Sequence, residues 1–190
     1  AFYLDVLKDR LYTTAPKSHA RRSAQTALWH LTHAMLRWMA PFLSFTAEEA
    51  WKVFTGAGVG QTIFTETFWS EGAFAQAESA LLAKWSRIRE IREVVNKEIE
   101  AVRGGGQVGS SLQAEIAITV NAEDFALLST LGDDLKFVTI TSKATLVAGN
   151  ELAVAVSPSS AAKCERCWHY RDDVGADAAH PTLCGRCTSN

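Results

Sequence analysis

The chain has 190 residues, 47% of them hydrophobic, and a formal net charge of −2. That length suits one ordinary domain or two small ones, and the apolar content supports a packed core and excludes a wholly disordered chain. The near-neutral balance excludes a global basic field for nucleic acid, the apolar runs are too short to span a bilayer, and no charged-then-apolar leader points to secretion.

The chain opens on Ala-Phe-Tyr, already in helical register and without an initiator Met, which reads as a piece of something longer. Residues 2–13 (FYLDVLKDRLYT) are predicted as a short amphipathic helix. After Pro16, Ser18 is placed to cap a long helix whose positions Ala24, Leu28, Leu31, Met35 and Trp38 or Met39 form one apolar stripe, expected to be buried. Pro41 breaks it. Thr46-Ala-Glu-Glu49 has the form of a capping box, so a short helix is expected over 47–54. Residues 55–76 are Gly-rich and aromatic without a period, and read as a connection packed on an antiparallel bundle.

The pattern returns over 78–103 with Leu81, Trp85, Ile88, Ile91 or Arg92, Val95, Ile99 and Val102, and Gly104-Gly105-Gly106 ends that helix. Alternation follows. LQAEIAITV (112–120) fits a strand, 122–131 a helix, KFVTIT (136–141) a strand, ATLVAG (144–149) a strand, and ELAVAV (151–156) a strand after a Gly149-Asn150 hairpin turn. SPSSAA (157–162) has linker composition. The fold expected is mostly α with a small α/β unit: a helical bundle over 1–103, an α/β subdomain over 104–156, a linker over 157–162, and a four-cysteine knuckle or ribbon over 163–190.

All four cysteines lie in that tail as two C-x-R-C pairs, Cys164 with Cys167 and Cys184 with Cys187, separated by sixteen residues. This is the spacing of a four-cysteine zinc site: each pair offers two thiolates from a tight knuckle, and two knuckles complete a tetrahedron. A tail this short buries too little apolar surface to fold alone, so one structural Zn²⁺ is expected to supply the deficit. Disulfides, a redox C-x-x-C and an iron–sulfur cluster fit less well, and His169 and His180 are not needed as ligands. Four thiolates around Zn²⁺ carry a formal charge of about −2. Arg166 and Arg186, inside the knuckles, either balance that charge or contact phosphate. Trp168-His169-Tyr170-Arg171 sets aromatic beside basic groups, as on base-stacking surfaces, with one of Trp168 and Tyr170 expected inward and the other outward.

Other candidates carry less. GGGQVGSS (104–111) lacks the lysine of a phosphate loop and follows a helix rather than a strand. His19, His30 and His33 read as surface or satisfied-core residues, and Glu48 and Glu49 as capping residues rather than an acid/base pair. No nucleophile, base and oxyanion site assemble in the sequence, so no catalytic residue is assigned.

FYLDVLKDRLY (2–12), RRSAQTALWHLTHAMLRWMAPFLSFTAEEAW (21–51), EVVNKEIEAVR…VGSSLQAEI (93–116) and KCERCWHYRDDVG…LCGRCTSN (163–190) together resemble the C-terminal part of bacterial isoleucyl-tRNA synthetases. The resemblance implies a class I ligase that uses ATP in an upstream catalytic domain, and edits in another, to charge tRNA-Ile with isoleucine. It implies that this piece is the end of the anticodon-binding domain plus the zinc module, with Cys164, Cys167, Cys184 and Cys187 as ligands. The expected partners are tRNA-Ile and the upstream domains, in a cytoplasmic, monomeric protein with no membrane contact. Arg166, Trp168, Tyr170, Arg171, Arg186, Lys8 and Arg10 are the candidate tRNA contacts, with Arg21 and Arg22 beside them, although solvated helix charge is the ordinary reading of the helical ones. The alternatives are the four-cysteine finger of a DNA-repair glycosylase and a zinc module for protein–protein contact.

Overall fold

The computed structural model describes residues 2–56, 58, 60–70 and 79–190. They form two compact units. One joins Ala1–Pro16 to Glu78–Asn190, and the other is Lys17–Ala77. The chain therefore does not divide at 103/104: the first helix and the long helix, expected in one bundle with the others, pack with the sheet.

In the smaller unit, α2 (His19–Met39) is capped by Ser18, whose Oγ accepts from the Arg21 N–H at 3.2 Å. It packs on α3 (Ser44–Thr55) through Leu36, Ala40, Ala47 and Trp51, with Ile63 from a 3-10 turn sealing the contact. The buried face of α2 is thus Ala24, His33, Ala34 and Leu36, while Leu31, Met35 and Trp38 of the expected stripe are about half exposed. His33 takes a core place because its Nδ1 lies 2.7 Å from Arg37 Nη1, and Arg37 lies over the Trp51 ring and pairs with Glu66. The Thr46–Glu49 capping box does not form. The helix starts earlier, at Ser44, and Glu48 instead accepts from Thr62 Oγ1 and the Ile63 N–H, both at 2.9 Å, tying the 3-10 turn to α3. Of the expected connection over 55–76, residues 57, 59 and 71–76 lie outside the described residues.

The larger unit is built on α4 (Ser79–Gly104) and β1 (Ala114–Val120). Ile88, Ile91, Val95 and Ile99 recur at helical spacing; Ala114, Ile116, Ile118 and Val120 recur at every second position; the two rows face each other in one core. Leu81, at the near end of the expected stripe, is exposed. α1 (Phe2–Tyr12) joins this core through Phe2 and Val6, with the Phe2 ring 6.1 Å from that of Trp85. After β1 come α5 (Ala122–Ser129), capped by Asn121, and α6 (Leu135–Thr139), then β2 (Lys143–Ala148) and β3 (Ala153–Pro158).

Two expectations change here. KFVTIT is helical rather than a strand: Leu135 and Val138, three apart, bury together, Thr139 Oγ1 bonds back to Leu135 O, and Ile140 ends the turn in the left-handed region at φ 57°. Local alternation of β-branched residues is overridden by this burial. Nor do β2 and β3 form a hairpin. The sheet order is β2-β1-β3, with β2 parallel and β3 antiparallel to β1, so the 149–152 turn crosses the end of β1. Gly149 donates its N–H to Val120 O, and a Cβ there would collide with Thr119 Cγ2, which is why glycine occupies this crossing.

The SPSSAA segment is also not a free linker. Its first residues extend β3, and Ser159 is buried with its N–H on Gln113 O at 2.7 Å and its Oγ on Glu115. β4 (Ala162–Lys163) follows at once and pairs with β5 (Tyr170–Arg171). A last short helix, α7 (Gly185–Thr188), carries the second knuckle. No helix among the described residues is long and apolar enough to cross a membrane.

Ile118, on β1, is fully buried in the core that the sheet shares with α4. Ile118→Ala should lower unfolding free energy by about 2–5 kcal/mol in urea titrations followed by far-UV circular dichroism. A loss under about 1 kcal/mol would contradict this packing.

Candidate metal centre and the cleft beside it

The two knuckles are made by local backbone bonding. In the first, the Cys164 N–H donates to His169 O and the Trp168 N–H returns to Cys164 O at 2.8 Å. In the second, Cys187 and Thr188 both donate to Cys184 O. The result brings Cys164, Cys167, Cys184 and Cys187 together, buried, with all four Sγ atoms within 4.8 Å of one another. Cys167 Sγ and Cys184 Sγ are 3.8 Å apart. That is the edge of a tetrahedron whose metal–sulfur bonds are about 2.3 Å, and well beyond a disulfide bond of about 2.05 Å.

The donor set favours a cation. Burial opposes ionisation of Cys164, but N–H groups from Cys167, Cys184 and Arg166 directed at its sulfur bring it down to about 6. Burial, together with the neighbouring sulfurs, pushes Cys167 up to about 11 and also raises Cys187. Cys167 and Cys187, raised in this way, do not ionise beside Cys164 near neutral pH without a positive charge among them. With four sulfurs in the shell no coordination position stays open, which suits a structural rather than a catalytic Zn²⁺. His169 stands outside the cluster: it is buried with Nδ1 3.1 Å from Cys167 O, and burial lowers its pKa.

The candidate RNA contacts divide into engaged and presented groups. Arg166 donates to Cys187 O and Asn190 O at 2.7 and 2.9 Å, stitching one knuckle to the other. Arg171 pairs with Asp173, which also accepts the Gly185 N–H and so aligns the second knuckle. Arg186 reaches back to α1, where its guanidinium meets both carboxylate oxygens of Asp9. Lys8 and Arg10 make exposed pairs with Asp5 and Asp134. Tyr170 is half-buried, and its N–H bonds Ser142 Oγ at 2.6 Å, docking the module on the α/β unit. Trp168 is the presented residue: it sits in the left-handed region at φ 64°, is 60% exposed, and has Lys163 Nζ 5.3 Å from its ring centroid.

Beside Trp168 opens a cavity of about 480 Å³, walled by Val6, Asp9 and Tyr12 of α1, by Phe137 and Ile140, and by the first knuckle. Sequence reasoning did not single out Asp9, Tyr12 or Lys163. Asp9 and Arg186 are 177 positions apart, and no local pattern marks that pairing.

A family model described as the anticodon-binding domain of tRNA ligase matches residues 1–118, and one described as the zinc finger found in FPG and IleRS matches residues 162–190. The chain is 60% identical over its whole length to an isoleucine–tRNA ligase of Ralstonia pickettii, 59% to one of Burkholderia multivorans and 57% to one of Bordetella avium. It spans about a fifth of the length of these curated relatives, 20% of the first two and 21% of the third. With the first match covering more than half of its residues, the chain belongs to the family of anticodon-binding domains of tRNA ligases.

Proposed function

We propose that this chain is the tRNA-binding C-terminal segment of an isoleucine–tRNA ligase, and that it contacts the anticodon region of tRNA-Ile. The presentation of Trp168 carries this reading. A large aromatic ring is held outward by a left-handed backbone residue, beside Lys163 and over an apolar cavity, on a module whose three arginines are engaged within the protein and whose Tyr170 is half-buried. That is the arrangement of a base-stacking platform. Isoleucine charging with ATP belongs to the rest of the polypeptide on this reading, which also places the protein in the cytoplasm as a monomer. Cys164, Cys167, Cys184 and Cys187 hold one structural Zn²⁺ that fixes the knuckles and hence Trp168. Arg166, Arg171 and Arg186 serve first to build the module. Lys8, which lines the cleft, and Arg10 and Tyr170 outside it are secondary contacts.

The family shared with glycosylase fingers leaves the DNA-repair alternative resting on residues 162–190 alone, whereas the match over 1–118 supports the tRNA ligase.

Cys184→Ser should lose bound zinc, measured by atomic absorption against protein concentration, and should disorder the tail while the far-UV signal of α2, α3 and α4 persists. Unchanged metal content would contradict the four-sulfur site. Trp168→Ala, titrated with tRNA-Ile at fixed salt, should weaken binding by about 1–3 kcal/mol. The zinc-loaded chain should also prefer the native anticodon over a substituted one. Equal, strongly salt-dependent binding to both would instead indicate phosphate contact without anticodon reading.

A further inference from the structure

Arg186 lies between two of the clustered cysteines, so its position is set by the second knuckle. Its Nη1 donates to Asp9 Oδ2 at 3.0 Å, and its Nη2 to Asp9 Oδ1 at 2.6 Å and to Thr13 Oγ1 at 3.0 Å. Thr13 is buried and donates to Asp9 in turn. The guanidinium lies 4.7 Å from the Phe137 ring centroid, and the two charged side chains are only 21% and 14% exposed. This is a sheltered, bidentate pair, unlike the exposed pairs Lys8 and Arg10 make elsewhere on α1.

The ties of α1 are therefore unequal. Phe2 and Val6 hold its first half on the α4–sheet core. Its last turn is held from the tail by the sheltered Arg186 pair, with only the exposed Arg10–Asp134 pair beside it. Without that guanidinium, Asp9 is a largely buried carboxylate lacking its cation, and leaving it docked is costly. The same turn of α1 carries Asp9 and Tyr12 into the wall of the cavity beside Trp168.

We propose that the Asp9–Arg186 pair is a latch through which metal occupancy of the four-cysteine site governs docking of the C-terminal half of α1, and with it one wall of the cleft. Arg186 is then a positioning residue rather than a phosphate contact. The latch rests on the zinc reading given above.

The test is amide hydrogen exchange on the 190-residue chain, zinc-loaded and after chelation, in wild type and in Arg186→Gln. Chelation of wild type should speed exchange over Leu7–Tyr12 at least about tenfold while β1 and α4 keep their protection. Arg186→Gln with one zinc still bound should show the same loss, and chelating it should add less than about threefold over that segment, because the coupling has already been cut. Asp9→Asn leaves the knuckle sequence untouched and should behave alike, which keeps the test decisive if Arg186→Gln folds poorly. Unchanged α1 protection on chelation of wild type overturns the latch, as does an equally large response to chelation in the variants. A wild-type chain that takes up no zinc overturns the zinc reading and the latch together. Zinc uptake with no α1 response overturns the latch alone.

Discussion

The packing of one strand against one helix organises the larger unit. β1 turns Ala114, Ile116, Ile118 and Val120 toward Ile88, Ile91, Val95 and Ile99 of α4. A period-two row and a three-four row meet, and neither element buries its apolar side without the other. Everything downstream is registered on β1: β2 on one edge, β3 on the other, the Gly149 crossing over its end, and Ser159 on Gln113 and Glu115 at its start. Ser142 then connects this frame to the tail. Its N–H reaches Ala114 O, its hydroxyl bonds Leu112 O, and the same Oγ accepts the Tyr170 N–H. The four-cysteine module is thus seated on a hydrophobic core it does not itself possess.

Charge inside the module follows from its sulfurs. Thiolates collected in one place attract nearby cations, and Arg171 feels Cys184 while Arg186 feels Cys167 and Cys187. Arg166 bridges to the end of the second knuckle, Arg171 fixes Asp173 against the Gly185 N–H, and Arg186 takes its counter-ion from α1. A residue type that looks like a phosphate reader in sequence here makes structural crosslinks, because its fork of donors engages more than one acceptor at once.

What was legible in the sequence was whatever rests on local chemistry. The Ser18 cap, the α4 stripe, the β1 alternation and the two knuckles each follow from neighbours within a few residues. What was not legible rests on distant partners. The stripe at Leu31 and Met35 has the right period for a buried face, yet α3 packs beside Leu36 and Ala40, a choice only the tertiary contact makes. Thr46 and Glu49 fit a capping box in spacing, but Glu48 is drawn to Thr62 and Ile63, and the helix starts earlier. KFVTIT alternates like a strand, yet Leu135 and Val138 share one buried side only as a helical turn. The Asp9–Arg186 pair carries no signal at either end, since an aspartate and an arginine on short amphipathic segments are ordinary surface residues until the fold brings them together.

These placements bear on how such a chain would hold RNA. The net charge is slightly negative, and the tail arginines make contacts within the protein. Strong binding by phosphate neutralisation needs many unengaged cations, each adding to the salt dependence. The module instead offers one large exposed ring, a lysine beside it and an apolar hollow next to both. Stacking on such a ring depends little on ionic strength and strongly on its orientation. The orientation of Trp168 comes from a left-handed backbone position inside a knuckle, and the knuckle from its sulfurs. On the proposed reading, the metal site would contribute to recognition by geometry, through the direction in which a single tryptophan points, rather than by charge.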